Sequence, residues 1–586
     1  MDVLTRPDTL ATAAQDWLAR FEQALTAPDD GVLAHLFVAD GYWRDLLALT
    51  WRIQTTAGAT AIARGLRTTA NRAQPASFWL DPDRTAPRRV TRAGTEAIEA
   101  IFRFDTAEGR GSGVVRLVRD ADGQLKAWTL LTALDEIKGH EERLGASRPS
   151  GAAYARDFRG PNWLDARTAA AAYTERDPAV LVVGAGQAGL SAAARLGQMQ
   201  VDTLIVDRGA RIGDNWRHRY HALVLHNRAH VNHLPYMPFP PTWPAYIPKD
   251  KLAGWFEAYA DSMELNCWTG TEFTGGTYDE AKQRWSVALR RADGTTRELQ
   301  PRHVVMATGA SGIPNRPDIP SLTNFTGTVL HASQFRDGDA WRGKRAIVIG
   351  SGTSGHDIAQ DLHASGAKVT LVQRSSTMVV NVEPSAQLPY ALYDEGPPLE
   401  DCDLITTSIP LPLARKSHVM LTEQAKTLDQ DLLDGLARVG FRLDFGDDGT
   451  GWQFKYLTRG GGYYFNVGCS ELIINGEVRL VQFADISGFV TDGARMRDGE
   501  TIAADLIVLA TGYKGQDVLV RQLFGDDVAA RLGPIWGFGE ELELRNMFMR
   551  TAQPGLWFIA GSFAQCRIYS KYLGLQIKAS ELGMLD

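Results

Sequence analysis

Near the start of the chain, Trp17, Leu18, Phe21 and Leu25 fall on one face at helical spacing and predict an opening helix. The period then changes. AIEAIFRF and GVVRLVRD alternate apolar with polar positions, DADGQLKAW supplies an Asp-Gly turn, and a further strand reaches Leu134, so residues 1–145 read as a separate α+β domain. A polar, alanine-rich stretch over 146–177 reads as a linker. Beyond it, short wholly apolar runs alternate with helical patterns: AVLVV, AGLSAAARL and VDTLIVD, then RAIVIG, SGTSGHDIAQDL and KVTLVQ. Uninterrupted apolar strands between helices indicate parallel sheets covered on both faces. The prolines of HLPYMPFPPTWPAYIPKDK preclude regular helix, and a polar helical stretch with the glycine-rich TRGGGYYFNVG fills the chain from Met378 to about Arg479.

Each of the two repeated units carries a glycine-rich loop between its strand and its helix. The first is Gly184, Ala185, Gly186, Gln187, Ala188, Gly189, and the second Gly350, Ser351, Gly352, Thr353, Ser354, Gly355. Such a loop turns sharply, lets a pyrophosphate approach the backbone, and packs its helix closely. Alone it also describes an ordinary tight turn, but two complete strand-loop-helix units predict two Rossmann-like dinucleotide domains. The tips of the following strands differ. The first ends at Asp207, followed by Arg208, a carboxylate able to accept both ribose hydroxyls of FAD or NAD; the second ends at Gln373, Arg374 and Ser375, where an arginine suits a 2'-phosphate. HVVMATGA and LIVLATGYKG both end in Thr-Gly. The second of these, with Ala510, Thr511, Gly512 and Tyr513, suggests that a split first domain resumes near Leu480, and the tail reads as a strand, a loop and a helix aimed at a flavin. The expected division is thus 1–145, a linker 146–177, a first dinucleotide-binding part 178–337, a second dinucleotide-binding domain 338–479, and a return of the first over 480–586.

Composition narrows the function. At 586 residues and 44% hydrophobic the chain can hold about four domains. A net charge of -7, with no basic run interleaved with aromatics, gives no reason to expect nucleic acid. The cysteines Cys267, Cys402, Cys469 and Cys566 are scattered, with no CxxC and no metal-ligand spacing, and fit a reducing cytoplasm. No leader pattern and no run of membrane-spanning length is evident.

FTGTVLHASQF matches the fingerprint of the flavin-containing monooxygenases at Phe325, Gly327, His331 and Phe335, and the chain from Pro178 onward resembles that family. Phe335-Arg336 favours it over the related Baeyer-Villiger monooxygenases. IGDNWRHRYHALVLHN resembles the family's second flavin-contacting segment, placing Asn215, Trp216, His226 and Asn227 beside the flavin, with His226 where animal members carry asparagine. Residues 1–145 resemble the nuclear transport factor 2 and SnoaL-like cone, in which Trp43, Arg44 and Asp45 either line a pocket or brace the cone. Together these features resemble the type II subgroup. The resemblance implies FAD, NADPH modestly preferred over NADH, dioxygen adding at the flavin C4a carbon, and transfer of one oxygen to the nitrogen, sulfur or ketone of a small molecule, by a homodimer. His226, helped by Asn227, either protects the oxygenating species, through an imidazole titrating near neutrality, or packs at the flavin edge without a kinetic role. Tyr463, Tyr464 and Asn466 either face substrate or belong to the core, and His356-Asp357 reads more readily as capping and packing than as a catalytic pair. Rival readings are a dedicated Baeyer-Villiger enzyme, a disulfide reductase, which lacks its cysteine pair here, and a non-catalytic flavin-binding protein.

Overall fold

The computed structural model describes residues 7–149, 158–309 and 312–585. Of the expected linker, 150–157 lie outside the described residues, and the rest includes the helix Trp163–Ala172. The opening helix, Pro7–Thr26, covers a seven-stranded sheet ordered Ile53–Ala57, Phe37–Leu46, Leu125–Ile137, Gly109–Arg119, Thr95–Asp105, Ala76–Leu80, with Arg88–Arg92 also pairing with Thr95–Asp105. Aromatic rings fill the space beneath the helix: Trp17 stacks on Phe21 at 5.1 Å, Phe21 meets Phe78 edge-on at 5.3 Å, and Phe78 stacks on Phe104 at 5.2 Å.

Strand parity separates Arg44 from its two neighbours. Trp43 Nε1 donates to Thr132 Oγ1 at 2.9 Å, and that hydroxyl donates to Asp45 Oδ1 at 2.6 Å. Asp45 also accepts from the Leu49 and Thr50 amides. Trp43 and Asp45 therefore brace the sheet, whereas Arg44 leaves the domain and meets residues of the C-terminal region.

A five-stranded parallel sheet follows, ordered Asn266–Trp268, Thr203–Val206, Val180–Val183, His303–Met306, Leu556–Phe558. All four residues of Val180–Val183 are buried, as expected of a strand with helices on both faces. Its last strand comes from near the C-terminus and leads into Phe563–Glu581, which packs along Gln187–Gln198. The second parallel sheet is ordered Thr328–His331, Leu506–Leu509, Arg345–Ile349, Lys368–Gln373, Val478–Gln482.

This pairing departs from the expected boundaries. Thr328–His331, placed by sequence in the first dinucleotide-binding part, and Leu506–Leu509, placed in the return of that part, both hydrogen-bond within the second sheet. The first sheet resumes only at Leu556–Phe558. A strand ending in Thr-Gly reads alike in either sheet, and only its ladder partner assigns it.

Between Lys368–Gln373 and Val478–Gln482 stand the helices Leu399–Thr407, Leu411–Leu428, Gln430–Arg438 and Gly451–Arg459, beside a parallel pair of Met378–Asn381 with Tyr463–Asn466. The N-terminal domain docks on this insertion and on the C-terminal helix. The Thr85 amide donates to Asp401 at 2.7 Å, Arg92 pairs with Glu395 at 2.8 Å, and Lys571 pairs with Asp135 at 2.5 Å. Arg116, itself buried against Glu99, reaches the carbonyls of Ile405 and Ser408. Among the described residues no helix is long and apolar enough to cross a membrane.

Candidate active site

The two glycine-rich loops have the same construction. A Cβ added to Gly184 would lie 2.7 Å from the Ala307 carbonyl, and one on Gly350 would lie 2.2 Å from that of Ala510. Gly189 and Gly355 would strike the carbonyl of their own first glycine at 1.9 Å. With φ of +112° and +123° at Gly184 and Gly350, the protein's own backbone demands these four glycines. The middle glycines are different. Nothing lies closer than 3.8 Å to a Cβ on Gly352, and at Gly186 the nearest atom is the tip of Asn215, at 3.1 Å. The space at Gly352 is left for a guest. The helices that start here, Gln187–Gln198 and Thr353–Ala364, have no side-chain cap, so their first amides are free for a phosphate.

Around the first loop, Asp207 accepts from the Ala185 amide at 2.7 Å and the Gly209 amide at 2.6 Å, and keeps lone pairs for ribose hydroxyls. Arg208 is exposed, Ala188 is buried, and Gln187 Nε2 donates to the Gly561 carbonyl at 3.3 Å. Asn215 and Trp216 occupy the short helix Asp214–Arg217. Trp216 stacks on Phe563 at 6.2 Å, and its Nε1 is buried without a partner, as is the hydroxyl of Thr308.

At the second loop, Ser351 shares a buried hydrogen bond with Thr377 at 2.7 Å and Thr353 donates to the Tyr463 carbonyl at 3.1 Å, so their hydroxyls serve the protein. The Ser354 side chain makes no hydrogen bond among the described residues. Gln373 is fully buried, its amide engaged by the Arg442 backbone and by Gln482. Arg374 and Ser375 are exposed, and the Arg374 guanidinium makes a 3.4 Å contact with Ser375 Oγ. Arg442 reaches the Arg374 carbonyl, bringing a second guanidinium to this tip.

Ala510, Thr511, Gly512 and Tyr513 were expected at the flavin. Instead, Ala510 supports Gly350, Thr511 exchanges hydrogen bonds with Asn315, and Tyr513 pairs with Pro314 at the junction of the two sheets. The reason is again the ladder, which puts this Thr-Gly end in the second sheet while Ala307, Thr308 and Gly309 end the equivalent strand of the first. His331 Nε2 donates to the Gly512 carbonyl at 3.1 Å and its Nδ1 accepts from the Ser333 amide at 3.1 Å, which fixes a neutral tautomer. Burial lowers its pKa. Phe325 and Phe335 are buried, and a Cβ on Gly327 would come within 2.8 Å of the Asp505 carbonyl, so these fingerprint residues pack the junction.

His226 is hemmed in by protein, with its ring edge-on to Phe465 at 5.3 Å. Burial pushes its pKa down to about 4. That desolvation favours the neutral imidazole, which offers one donor and one acceptor. Asn227 donates to the Tyr390 hydroxyl at 3.0 Å. Tyr464 stacks on the buried His356 at 3.9 Å, Tyr463 and Phe465 lie 5.1 Å apart, and Asn466 bonds to Asn381 and Glu471, so all three belong to the wall's packing. Asp357, whose pKa burial raises to about 6, accepts from the Tyr220 hydroxyl, while His356 is pushed down to about 4.

Next to the first turn of Phe563–Glu581 lies a cavity of about 190 Å³. Three parts of the chain enclose it: Arg44 and Ile53 from the N-terminal domain, His418 and Gln453 from the inserted helices, and the C-terminal segment carrying Glu543, Gln565 and Tyr569. Gln565 belongs to a capping box with Ser562, its Oε1 accepting from the Ser562 amide at 3.1 Å and from the Tyr456 hydroxyl at 3.3 Å. Four residues before it, Gly561 is tied to Gln187 of the first loop. The segment Gly561 to Gln565 thus links the cavity wall to the first nucleotide loop. Arg44 and Glu543, the two charged residues in that wall, pair bidentately at 2.8 and 2.5 Å.

Residues 181–392 match the family model described as pyridine nucleotide-disulphide oxidoreductase. The chain is 32% identical over 340 residues to the indole-3-pyruvate monooxygenase YUCCA1 of Oryza sativa subsp. japonica, covering 58% of this chain and 77% of that protein. It is 31% identical over 342 residues to the probable indole-3-pyruvate monooxygenase YUCCA4 of Arabidopsis thaliana, covering 58% and 76%. The chain belongs to the flavin-containing monooxygenase family. An ε-caprolactone-bound crystal structure of cyclohexanone monooxygenase shares the fold, with a TM-score of 0.50 at 17% identity over 69% of this chain and 88% of that one. As a flavin-dependent monooxygenase the protein uses FAD and NADPH. Its residues fit both: the unfilled space at Gly352, the uncapped helix starts, and the orphaned Trp216 and Thr308 donors are what a dinucleotide would occupy.

The strand end carrying Thr308 was legible in the sequence of this monooxygenase, whereas Arg442, Gln565 and the Arg44–Glu543 pair were not foreseen. One signal was available for Gln565, since Ser562-x-x-Gln565 is a capping-box pattern. Arg442 and Glu543 lie far in sequence from the residues they meet and carry no local signal.

Proposed function

We propose that the protein transfers one oxygen atom of dioxygen to the sulfur, nitrogen or ketone carbon skeleton of a small, uncharged organic molecule bound in the cavity shared by the three parts of the chain. The observation that carries this is Gln565, which lines the cavity and belongs to the helix whose preceding residue Gly561 is bonded to the first nucleotide loop. Bound FAD, reduced by NADPH, supplies the activation of dioxygen. The chain's residues do the rest. Asp207 and the two uncapped helix starts hold the nucleotides, Arg374 with Arg442 receives the 2'-phosphate and favours NADPH modestly over NADH, and Trp216 and Phe563 close the first cradle. His226, neutral at pH 7, orients through one hydrogen bond instead of delivering a proton.

The cavity wall supports a neutral substrate, because the Arg44 guanidinium is taken by Glu543. The rice relative is named for indole-3-pyruvate, an anion, and the closed ion pair argues for a different substrate here. The type II resemblance of the N-terminal domain is supported by its direct share in that wall. A disulfide reductase is disfavoured by the thiols themselves: all four are free, and burial pushes Cys402 up to about 11 and Cys267 up to about 12, away from reactive thiolate.

The test is NADPH oxidation with methyl phenyl sulfide and dioxygen. One sulfoxide is expected per NADPH consumed, and the Baeyer-Villiger alternative is read from cyclic ketones in the same assay. NADPH consumed wholly to hydrogen peroxide with every probe would refute the proposal.

A further inference from the structure

Most of the cavity wall is apolar, with Ile409, Leu411, Leu457, Phe538 and Leu544 among its residues, yet three uncharged polar side chains reach it incompletely bonded. His418, on Leu411–Leu428, has neither ring nitrogen hydrogen-bonded to a described residue, and its recorded contact is the edge-on approach of Phe454 at 5.3 Å. Gln453, on Gly451–Arg459, has its Oε1 buried without a partner. Gln565 has Oε1 engaged by Ser562 and Tyr456, while its Nε2 donates to no described residue.

A buried amide with no hydrogen bond destabilises the empty protein, and a leucine at Gln453 would fill the same wall without that penalty. Burial lowers the pKa of His418 to about 4, so at neutral pH it presents one N–H and one lone pair. Charge is absent from the demand, since Arg44 and Glu543 satisfy each other, and Arg44 is further bonded to the Thr407 carbonyl and the Tyr569 hydroxyl. An apolar cavity of about 150 Å³ holds a benzene, so about 190 Å³ admits a molecule of one or two rings.

We infer that His418 and Gln453 are specificity-determining residues, and that the substrate is an uncharged, mostly apolar one- or two-ring molecule whose hydroxyl, amide or ring N–H they hold. The inference rests on the cavity being the substrate site of the monooxygenase proposed above. A site built around such polar groups rejects an analogue lacking the partner, because the protein's own groups are then left unmet.

Three thioethers differing at one position test it: methyl phenyl sulfide, 4-(methylthio)phenol and 4-(methylthio)benzoate. Binding to the oxidised, FAD-loaded enzyme is measured by calorimetry without NADPH, so nothing turns over. The phenol is expected to bind at least about tenfold more tightly than methyl phenyl sulfide, equivalent to about 1.4 kcal/mol, and the benzoate more weakly than either. In Gln453→Leu and His418→Phe the phenol preference should fall to within about threefold. Gln453→Met serves as a second variant, and flavin absorbance with melting temperature verifies that each protein is folded. Equal binding of all three probes, failure of all three to bind, or a preference that survives every substitution overturns the inference. If methyl phenyl sulfide is still oxygenated in step with NADPH while the probes bind alike, the specificity inference fails and the monooxygenase reading stands.

Discussion

Replacing Arg44 by methionine would leave Glu543 as a buried carboxylate held by Thr55 alone, whose hydroxyl donates to Oε1 at 2.9 Å. The side chains of Arg44 and Glu543 are only 8% and 9% exposed, and their bidentate contacts of 2.8 and 2.5 Å are joined by the Thr407 carbonyl at 2.5 Å and the Tyr569 hydroxyl at 3.2 Å. Breaking such a pair by removing one partner costs about 3–5 kcal/mol, whereas replacing both with well-packed apolar residues is often close to neutral. Arg44→Met and Glu543→Met should therefore each cost about 3 kcal/mol or more, and the double variant less than either, a coupling of about 3 kcal/mol or more. Urea unfolding of the FAD-loaded protein, followed by tryptophan fluorescence, measures it as a shift in midpoint at constant slope. Glu543→Met has a second consequence, because it exposes an unpaired guanidinium to the cavity, and 4-(methylthio)benzoate should then bind better than it does to the wild type. Costs that add within about 0.5 kcal/mol would show that the two charges do not act as a pair, and the argument for a neutral cavity would fall with them.

Gly352→Ala should retain FAD and fold normally, since a Cβ there meets nothing within 3.8 Å, yet raise the KM for NADPH by about tenfold or more. Flavin content and steady-state kinetics measure both, and an unchanged KM would refute the reserved space. Arg374→Ala should bring kcat/KM for NADPH and NADH close together, by removal of the guanidinium that favours the 2'-phosphate; a preserved ratio would assign the 2'-phosphate elsewhere. His356 carries a pH signature. Its folded pKa of about 4 lies below the unfolded 6.5, so the unfolded chain binds more protons between these values, and the stabilisation is complete above pH 6.5 and lost as pH falls toward 4. By pH 5 the loss is about 2 kcal/mol, so His356→Phe should lose that much less than wild type between pH 7.5 and 5 in urea midpoints, and parallel profiles would contradict the buried neutral state.

The parts of this fold that were legible in sequence are those in which a local backbone problem has one chemical solution. Gly184, Gly189, Gly350 and Gly355 are each forced by a carbonyl within 2.7 Å of the missing Cβ, so the residue type carries the geometry. The strand ends were less legible because Thr308 and Thr511 sit in the same local sequence and differ only in ladder partner, Val180–Val183 for one and Arg345–Ile349 for the other. His226 was found as a position, but its protonation depends on the protein packed around it, which residue identity does not convey.

Arg44 marks the limit most sharply. Its neighbours Trp43 and Asp45 close on Thr132 inside the domain, and the parity of the strand requires the residue between them to face the other way. Sequence therefore contains the statement that Arg44 leaves the sheet, though not that Glu543 receives it. A buried arginine on the outer face of a domain needs an acceptor from another part of the chain, and here that acceptor completes the wall of the cavity. The N-terminal domain accordingly does more than append to a flavoprotein core. It neutralises the one carboxylate among the described residues of the cavity wall, and removing it would leave Glu543 charged and unpaired in that wall.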